Sequence, residues 1–403
     1  MATDPAPRTR LGVYFELPYR RDEVGYSTHI AFVRFVLALR PHFEDLVLIG
    51  RVDPEPGRAP YAVPDGVELA ALPHYASLRD LTGLLRSLPA TLRAIWAALD
   101  RVDAVWAIGP HPMSIPVSLL GLVRRKRVVL GVRQDFPRYV RHRLGEGKWA
   151  PALGAAFALE ALFRFLARRL PTVAVGADLA RRYSGGRAPV LELTVSLFSE
   201  ADVAASASGR QADPGHPVEL LSVGRLDPEK APELLLQALA QLERSEPGRW
   251  RLTLVGDGPL EDALRTDAAG LGDSVRFRGH VPNGPELFEL YRASDVFVHV
   301  ARTEGFPQVL TEAQAAGLPI VATDVGGVRA GLGDGDEALL VPPGDADALA
   351  AAVARLAEDG GLRETLAERG LARARSLTLE RQAALVAAFL SAVEAPAEPG
   401  NPP

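Results

Sequence analysis

The sequence contains no cysteine. That absence excludes disulfides, thiol nucleophiles and any cysteine-ligated metal site, and it fits a reducing cytoplasm. Long apolar runs are also lacking. Met113–Val123, the longest apolar stretch near the middle of the chain, is about half as long as a membrane span requires. The opening residues, MATDPAPRTR, have no apolar signal core, so neither a secretory leader nor a membrane-integral protein is expected. No excess of positive charge argues for nucleic acid. The 45 Lys and Arg residues stand against 50 Asp and Glu, a net charge of −5. No internal repeat of solenoid period occurs.

What is present is an ordinary soluble composition, 47% hydrophobic and 24% charged. A chain of 403 residues is too long for one core, so two domains are expected. Short apolar runs read as strands at Leu11–Phe15, Leu46–Gly50, Ala104–Ile108, Arg127–Gly131, Thr172–Val175 and Pro189–Leu193. Helical spacing separates them at His29–Leu39, Leu78–Leu99, Ser114–Val123, Pro151–Leu170 and Ala177–Tyr183. Residues 199–217 are rich in Ala, Ser, Gly and Pro and read as a linker. The alternation then restarts with strands at Val218–Gly224, Arg251–Val255, Ser274–Arg278, Asp295–Val300, Pro319–Thr323 and Ala338–Val341. Strands alternating with helices predict α/β domains with parallel sheets covered on both faces. The Pro/Ala-rich tails, Ala2–Thr9 and Ala395–Pro403, are expected to be disordered.

Ligands in such sheets bind at the carboxyl ends of the strands. In the first half this singles out the loops Glu16–His29, Gly109–Met113 and Val132–Arg138. Gly25 and the hydroxyls of Ser27 and Thr28 read as a weak anion cradle at a helix start, with His29 beside it. His111 is held between prolines, and Arg133 and Asp135 follow a strand end. Each of these also reads as a solvated loop residue. A basic cluster, Arg124–Arg127 with Arg164, Arg168, Arg169, Arg181 and Arg182, reads either as a solvated face or as a contact with anionic lipid or an anionic acceptor.

The second half carries the denser chemistry. Arg225 and Lys230 flank a strand–helix turn, a fork and a point charge suited to a diphosphate. Gly256-x-Gly258 and Gly326-Gly327 provide tight turns at the same rim, where backbone can approach a ligand. Between Glu304 and Glu312 lies a helix start with Pro307 in its first turn, whose free amides and dipole attract phosphate. Two carboxylates beside such a site suit the hydroxyls of a ribose and a sugar. Asp334-x-Asp336 and Asp345-x-Asp347 resemble metal dyads, but their Gly/Ala surroundings predict turns, and no metal is expected.

Taken together, Ser222–Lys230, Val255–Pro259, Ala293–Val298 and Glu304–Gly327 resemble glycosyltransferase family 4 across the whole second half, in order. The first half is similar in strand–helix rhythm more than in motif. The resemblance implies a GT-B fold, two Rossmann-like doubly wound parallel-sheet domains facing a central cleft, and a retaining enzyme. It implies that Arg225, Lys230 and Glu304 act at the reacting centre, the cations on the donor pyrophosphate and Glu304 on the sugar rather than as a nucleophile. Glu312 would hold the ribose, the amides of Val309 and Leu310 would meet phosphate, and Val281 would lie near the base. Gly224, Gly256, Gly258, Gly305, Phe306 and Pro307 complete the implied donor set. Gly25, His29, His111 and Arg133 form the acceptor-side set. Where many members carry a double glycine, Gly25 stands alone; where many carry a histidine, the chain reads Val132-Arg133-Gln134-Asp135; and Thr194-Val195-Ser196 replaces a Pro-Asn-Gly turn.

The expected organisation is therefore an acceptor domain over 1–200, a linker over 201–217, a donor domain over 218–376, a helix over 377–394 crossing back to the first domain, and a disordered tail. The expected partners are a nucleotide diphosphate sugar (UDP- or GDP-linked) and a hydroxyl acceptor, with no cofactor, in the cytoplasm or at the inner face of the membrane. A sugar-nucleotide epimerase or phosphorylase of the same architecture is an alternative, and a non-catalytic sugar-nucleotide binding protein is another.

Overall fold

A computed structural model describes residues 9–75, 81–144, 150–206, 216–305 and 307–393. The chain forms two compact units, Met1–Val195 with Gln382–Pro403, and Ser196–Arg381. The C-terminal helix Leu379–Ala392 thus belongs from Gln382 onward to the first unit.

The first unit contains β1 (Leu11–Arg21), β2 (Tyr26–Thr28), β3 (Leu46–Val52), β4 (Tyr61–Ala62), β5 (Glu68–Leu72), β6 (Ala104–Gly109), β7 (Arg127–Val132), β8 (Thr172–Val175) and β9 (Val190–Leu193). Its parallel core runs β5-β3-β1-β6-β7-β8-β9. The order reverses direction at β1 and β6, which makes their carboxyl ends the topological switch point. Alternation explains the burial: Tyr14, Val47, Ile49, Val105, Ala107, Val128 and Leu130 fill one face. Their neighbours Val13, Leu48, Trp106 and Val129 are buried on the other.

Two expectations are corrected here. The stretch Glu16–Thr28 is not a loop leading into a helix: β1 continues to Arg21 and turns back antiparallel into β2. The Asp22 carboxylate accepts the amides of Val24 and Gly25, both at 2.9 Å, and so closes the turn. With Gly25 at φ 152° and its amide engaged, the residue serves a hairpin rather than an anion cradle, and the helix starts only at Phe32. The second correction concerns the linker. Glu200–Ser206 is helical, and Val203 packs with Phe198, Phe288, Ala315 and Ala374. Its short apolar signature is legible only against those distant partners. The expected disordered tails lie outside the described residues, except for Thr9.

The second unit contains β10 (Val218–Val223), β11 (Trp250–Val255), β12 (Val275–Phe277), β13 (Val296–His299), β14 (Ile320–Thr323) and β15 (Leu339–Val341). All pair in parallel, in the order β12-β11-β10-β13-β14-β15. Leu220, Leu252, Leu254, Val296, Val298 and Val321 bury one face, and Leu221, Phe297, Ile320 and Ala322 the other. Both faces are therefore apolar, as a sheet between two helical layers requires. The switch point falls between β10 and β13.

Candidate active site

The strand ends at the second unit's switch point assemble residues far apart in sequence. Lys230 lies in the short 3-10 turn Pro228–Lys230 after β10, and Glu304 in the loop after β13. The Lys230 ammonium donates to the Glu304 carboxylate, both being largely buried. His299 closes β13 at 4% exposure and places Nε2 3.6 Å from the same carboxylate. At that distance His299 acts on Glu304 through space rather than by a direct hydrogen bond. Burial works against the charged carboxyl, but His299 and Lys230 outweigh it and hold Glu304 down to about 2.

The loop that carries Glu304 is built by backbone contacts. Thr323 Oγ1 accepts the Ala301 amide at 2.9 Å and donates to its carbonyl at 3.0 Å. Gly327 donates to the Glu304 carbonyl at 3.1 Å. A Cβ on Gly326, at φ 50°, would stand 2.0 Å from that carbonyl oxygen, so the double glycine is needed to let the two loops touch. The Glu304 side chain also accepts the Gly305 amide at 3.2 Å.

Gly256 and Gly258 have a related role, different from the one expected. A Cβ on Gly256 would meet the Gly224 carbonyl oxygen at 1.9 Å, and one on Gly258 the Leu226 carbonyl oxygen at 2.4 Å. The close approach these glycines permit is to the neighbouring loop. It lets the Gly224 amide donate to the Val255 carbonyl at 2.9 Å and the Leu226 amide to the Asp257 carbonyl at 2.8 Å. Gly224, Arg225, Lys230 and His299 line a pocket at these strand ends. Arg225 is exposed and paired with Asp227 and Glu229 of its own loop.

Glu312 is 5% exposed, on the helix Gln308–Ala315. It accepts from Asn283 Nδ2 at 2.7 Å and from the Tyr291 hydroxyl at 3.0 Å. Burial, then the adjacent Glu312, push the Tyr291 hydroxyl well up, so it stays protonated as a donor. Of the amides expected to meet phosphate, that of Leu310 donates to the Pro307 carbonyl at 3.2 Å and is spent within the helix start. The Val281 side chain is packed into the core with Leu287, Tyr291 and Leu310. Phe306 lies outside the described residues.

The acceptor-side residues do not form one cluster. His29 is exposed beyond β2. His111 joins a buried polar group at the carboxyl ends of β1, β3 and β6. Glu16, in a bulge of β1 between Tyr14 and Pro18, accepts from the Tyr75 hydroxyl at 2.7 Å and from Tyr14, and forms an ion pair with Arg51. His111 Nδ1 lies 3.5 Å from that carboxylate and accepts the Met113 amide at 3.2 Å. Burial, only partly countered by Glu16, lowers the His111 pKa, which keeps the ring neutral. Arg133 stacks on the rings of Phe32 and Phe15, at 3.9 and 4.6 Å from their centroids. Burial with no acid nearby lowers its pKa to about 10, and no carboxylate partners it among the described residues.

The basic run is partly internal: Arg124 pairs with Asp100 and stacks on Trp96, and Arg127 donates to Thr9 at 2.6 Å. Arg182 pairs with Asp135 at 2.7 Å, and Arg181 with Asp178. Asp345 caps the helix Ala346–Glu358 through the Ala348 amide at 2.8 Å, and Asp347 accepts from Gln241 at 2.5 Å. Sequence reasoning passed over His299, Tyr291, Asn283, Glu16, Arg51 and Tyr75. The one local signal was an imidazole inside an otherwise apolar strand, Val296–His299.

Residues 207–373 match the family described as glycosyl transferases group 1. A curated relative from Rhodococcus erythropolis, named D-inositol 3-phosphate glycosyltransferase, is 32% identical over 285 residues, covering 65% of this chain and 58% of its own length. The chain spans about half the length of the curated relatives it matches. Among solved structures, sucrose-phosphate synthase from Thermosynechococcus elongatus aligns with a TM-score of 0.67 at 20% identity, over 95% of this chain and 98% of that one. The Anabaena protein HepE, solved with UDP-glucose, aligns at 0.63 and 17% identity, over 94% of this chain and 99% of that one. The fold is GT-B.

Proposed function

We propose that the protein is a retaining glycosyltransferase, moving a hexose-type sugar from a UDP- or GDP-sugar to a hydroxyl acceptor in glycan, glycolipid or glycosylated-metabolite assembly. The observation that carries this reading is the gathering of Lys230, His299 and Glu304 beside Arg225 at the β10/β13 switch point, inside the stretch that matches the family.

Sugar transfer requires the diphosphate to depart with its charge stabilised. On donor binding, Arg225 exchanges Asp227 and Glu229 for diphosphate oxygens, and Lys230 turns part of its charge from Glu304 to the same group. The bond between the anomeric carbon and the phosphate oxygen breaks, its electron pair leaving with the diphosphate. The acceptor oxygen bonds to the same face of that carbon, and its proton passes to a departing phosphate oxygen. Glu304, kept ionised by His299 and Lys230, accepts from sugar hydroxyls; Glu312 accepts from the ribose. The positive potential comes from side chains and helix amides, so no metal belongs to this reading.

UDP as the nucleotide is supported by the Anabaena neighbour solved with UDP-glucose. The name of the curated relatives supports a phosphorylated polyol as acceptor, and Arg133 offers a cation without a carboxylate partner among the described residues. A cytoplasmic location is part of this proposal. The test is nucleoside diphosphate release from UDP- and GDP-sugars with and without polyol phosphates, with the anomeric configuration read by NMR. Release only with acceptor, and a retained anomer, are expected. Conversion of the sugar nucleotide without acceptor would instead favour an epimerase.

A further inference from the structure

The helix Ala150–Ala167 of the first unit has an uncommon surface. From Ala150 to Phe163 its one charged residue is Glu160, and Glu160 is buried at 6% exposure. The residues facing water are apolar. Phe157 is 51% exposed, Leu162 39% and Phe165 50%, with exposed Gly154, Ala155, Ala158 and Ala161 between them. These positions recur at helical spacing and form one stripe, while Ala156, Phe163 and Ala167 bury the opposite side. A helix apolar on both sides belongs where neither side faces water, and a contiguous exposed apolar patch of this kind marks an interaction surface.

The stripe ends in cations. Arg164, Arg168 and Arg169 are exposed at its carboxyl end, with the Arg169 guanidinium 5.5 Å from the Phe165 ring centroid. The Arg187 amide bonds the Arg168 carbonyl at 3.1 Å and brings a fourth exposed arginine to the same end. Among the described residues, neither Arg168 nor Arg169 pairs with a carboxylate. Aromatic and aliphatic groups beside unpaired arginines match acyl chains beside phosphate headgroups. A second copy of the chain fits less well. In a two-fold contact of this helix with itself the helix offers its arginines no exposed acid, because Glu160, its one acid, is buried.

We propose that the helix Ala150–Ala167 docks the protein on a bilayer rich in anionic phospholipid. It lies in the interface, with Phe157, Leu162 and Phe165 among the acyl chains and Arg164, Arg168 and Arg169 at the phosphates. No helix of the described residues is long and apolar enough to cross a membrane, so the contact is one of surface insertion. The docking helix and the donor residues lie on different units, so docking does not depend on sugar transfer.

The test is co-sedimentation of the full chain with phosphatidylglycerol/phosphatidylcholine vesicles and with phosphatidylcholine alone, at low and high salt. Binding to the anionic vesicles is expected, weakened at least tenfold by high salt. The variant F157S/L162S/F165S should lose tenfold or more in vesicle affinity while its thermal shift with UDP stays as in the wild type, which shows that it is folded. Lys230→Ala should bind vesicles normally, so loss of transferase activity and loss of docking are read separately. As a readout that leaves the stripe apolar, Phe165→Trp should blue-shift on anionic vesicles. Equal sedimentation of wild type and triple-serine variant would overturn the proposal. So would a wild-type dimer in light scattering that the triple-serine variant converts to monomer, since the stripe would then be covered by a second copy.

Discussion

Lys230 and Glu304, 74 positions apart, form an ion pair across the carboxyl ends of the first and fourth strands of the second unit, with His299 as its third member. The arrangement keeps a carboxylate charged in a largely buried place. It also holds the Lys230 ammonium at the pocket lined by Gly224, Arg225 and His299.

The pair makes stability depend on pH. Glu304 lies at about 2 in the folded chain against an ordinary value of 4.5. Its contribution is therefore complete above about 4.5 and lost as pH falls through about 2. Lys230→Met removes one of the two groups that depress it, so the folded value rises toward the ordinary one. We expect the variant to be destabilised relative to wild type by an amount that is largest at neutral pH and shrinks below pH about 4.5. Urea midpoints at pH 7 and 3.5 measure this; an identical difference at both would remove Lys230 from the titration.

Arg225 is exposed and satisfied by two carboxylates of its own loop, so its removal should leave folding intact. Arg225→Ala is expected to lose tenfold or more in kcat, on the order of one charge-assisted contact to the leaving group. Unchanged kcat at saturating donor would sink its assignment to the pyrophosphate.

Gly326→Ala tests how the Glu304 loop is held. The new methyl would sit 2.0 Å from the Glu304 carbonyl oxygen on a backbone at φ 50°, so one loop must move. We expect roughly 1–3 kcal/mol of destabilisation from the strained backbone, together with a drop in kcat. Wild-type turnover in a destabilised variant would show that Glu304 tolerates the shift.

Glu312→Gln keeps the shape but replaces an acceptor-only carboxylate with an amide that must also donate. Asn283 and Tyr291 both donate to this position, so the variant sets donor against donor. The donor KM is expected to rise about tenfold, one lost hydrogen bond to a charged group being worth about 1.5 kcal/mol or more, with kcat less affected. A reduced kcat at unchanged KM would move Glu312 from the ribose to the reacting centre.

The alternation of strands and helices, and the second half's loops and glycine turns, were legible in the chain alone. Each rests on a local signal: a buried parallel strand is a short apolar run, and a tight turn needs glycine. The hairpin at Gly25 was missed because Asp22 closes it by a side-chain bond that no periodicity announces. The helix Glu200–Ser206 was missed because its packing partners, Phe288 and Ala374, stand far along the chain.

The residue types at the candidate site were set by the sequence, and their partners were decided by the tertiary structure. Lys230 finds Glu304, Arg225 turns to its own acids, and Glu312 is met by Asn283 and Tyr291. Gly256 and Gly258 serve a neighbouring loop. The reason is physical. Apolar period and turn chemistry act over a few neighbouring residues, whereas an ion pair or a close backbone crossing exists only once strand order has brought distant segments together.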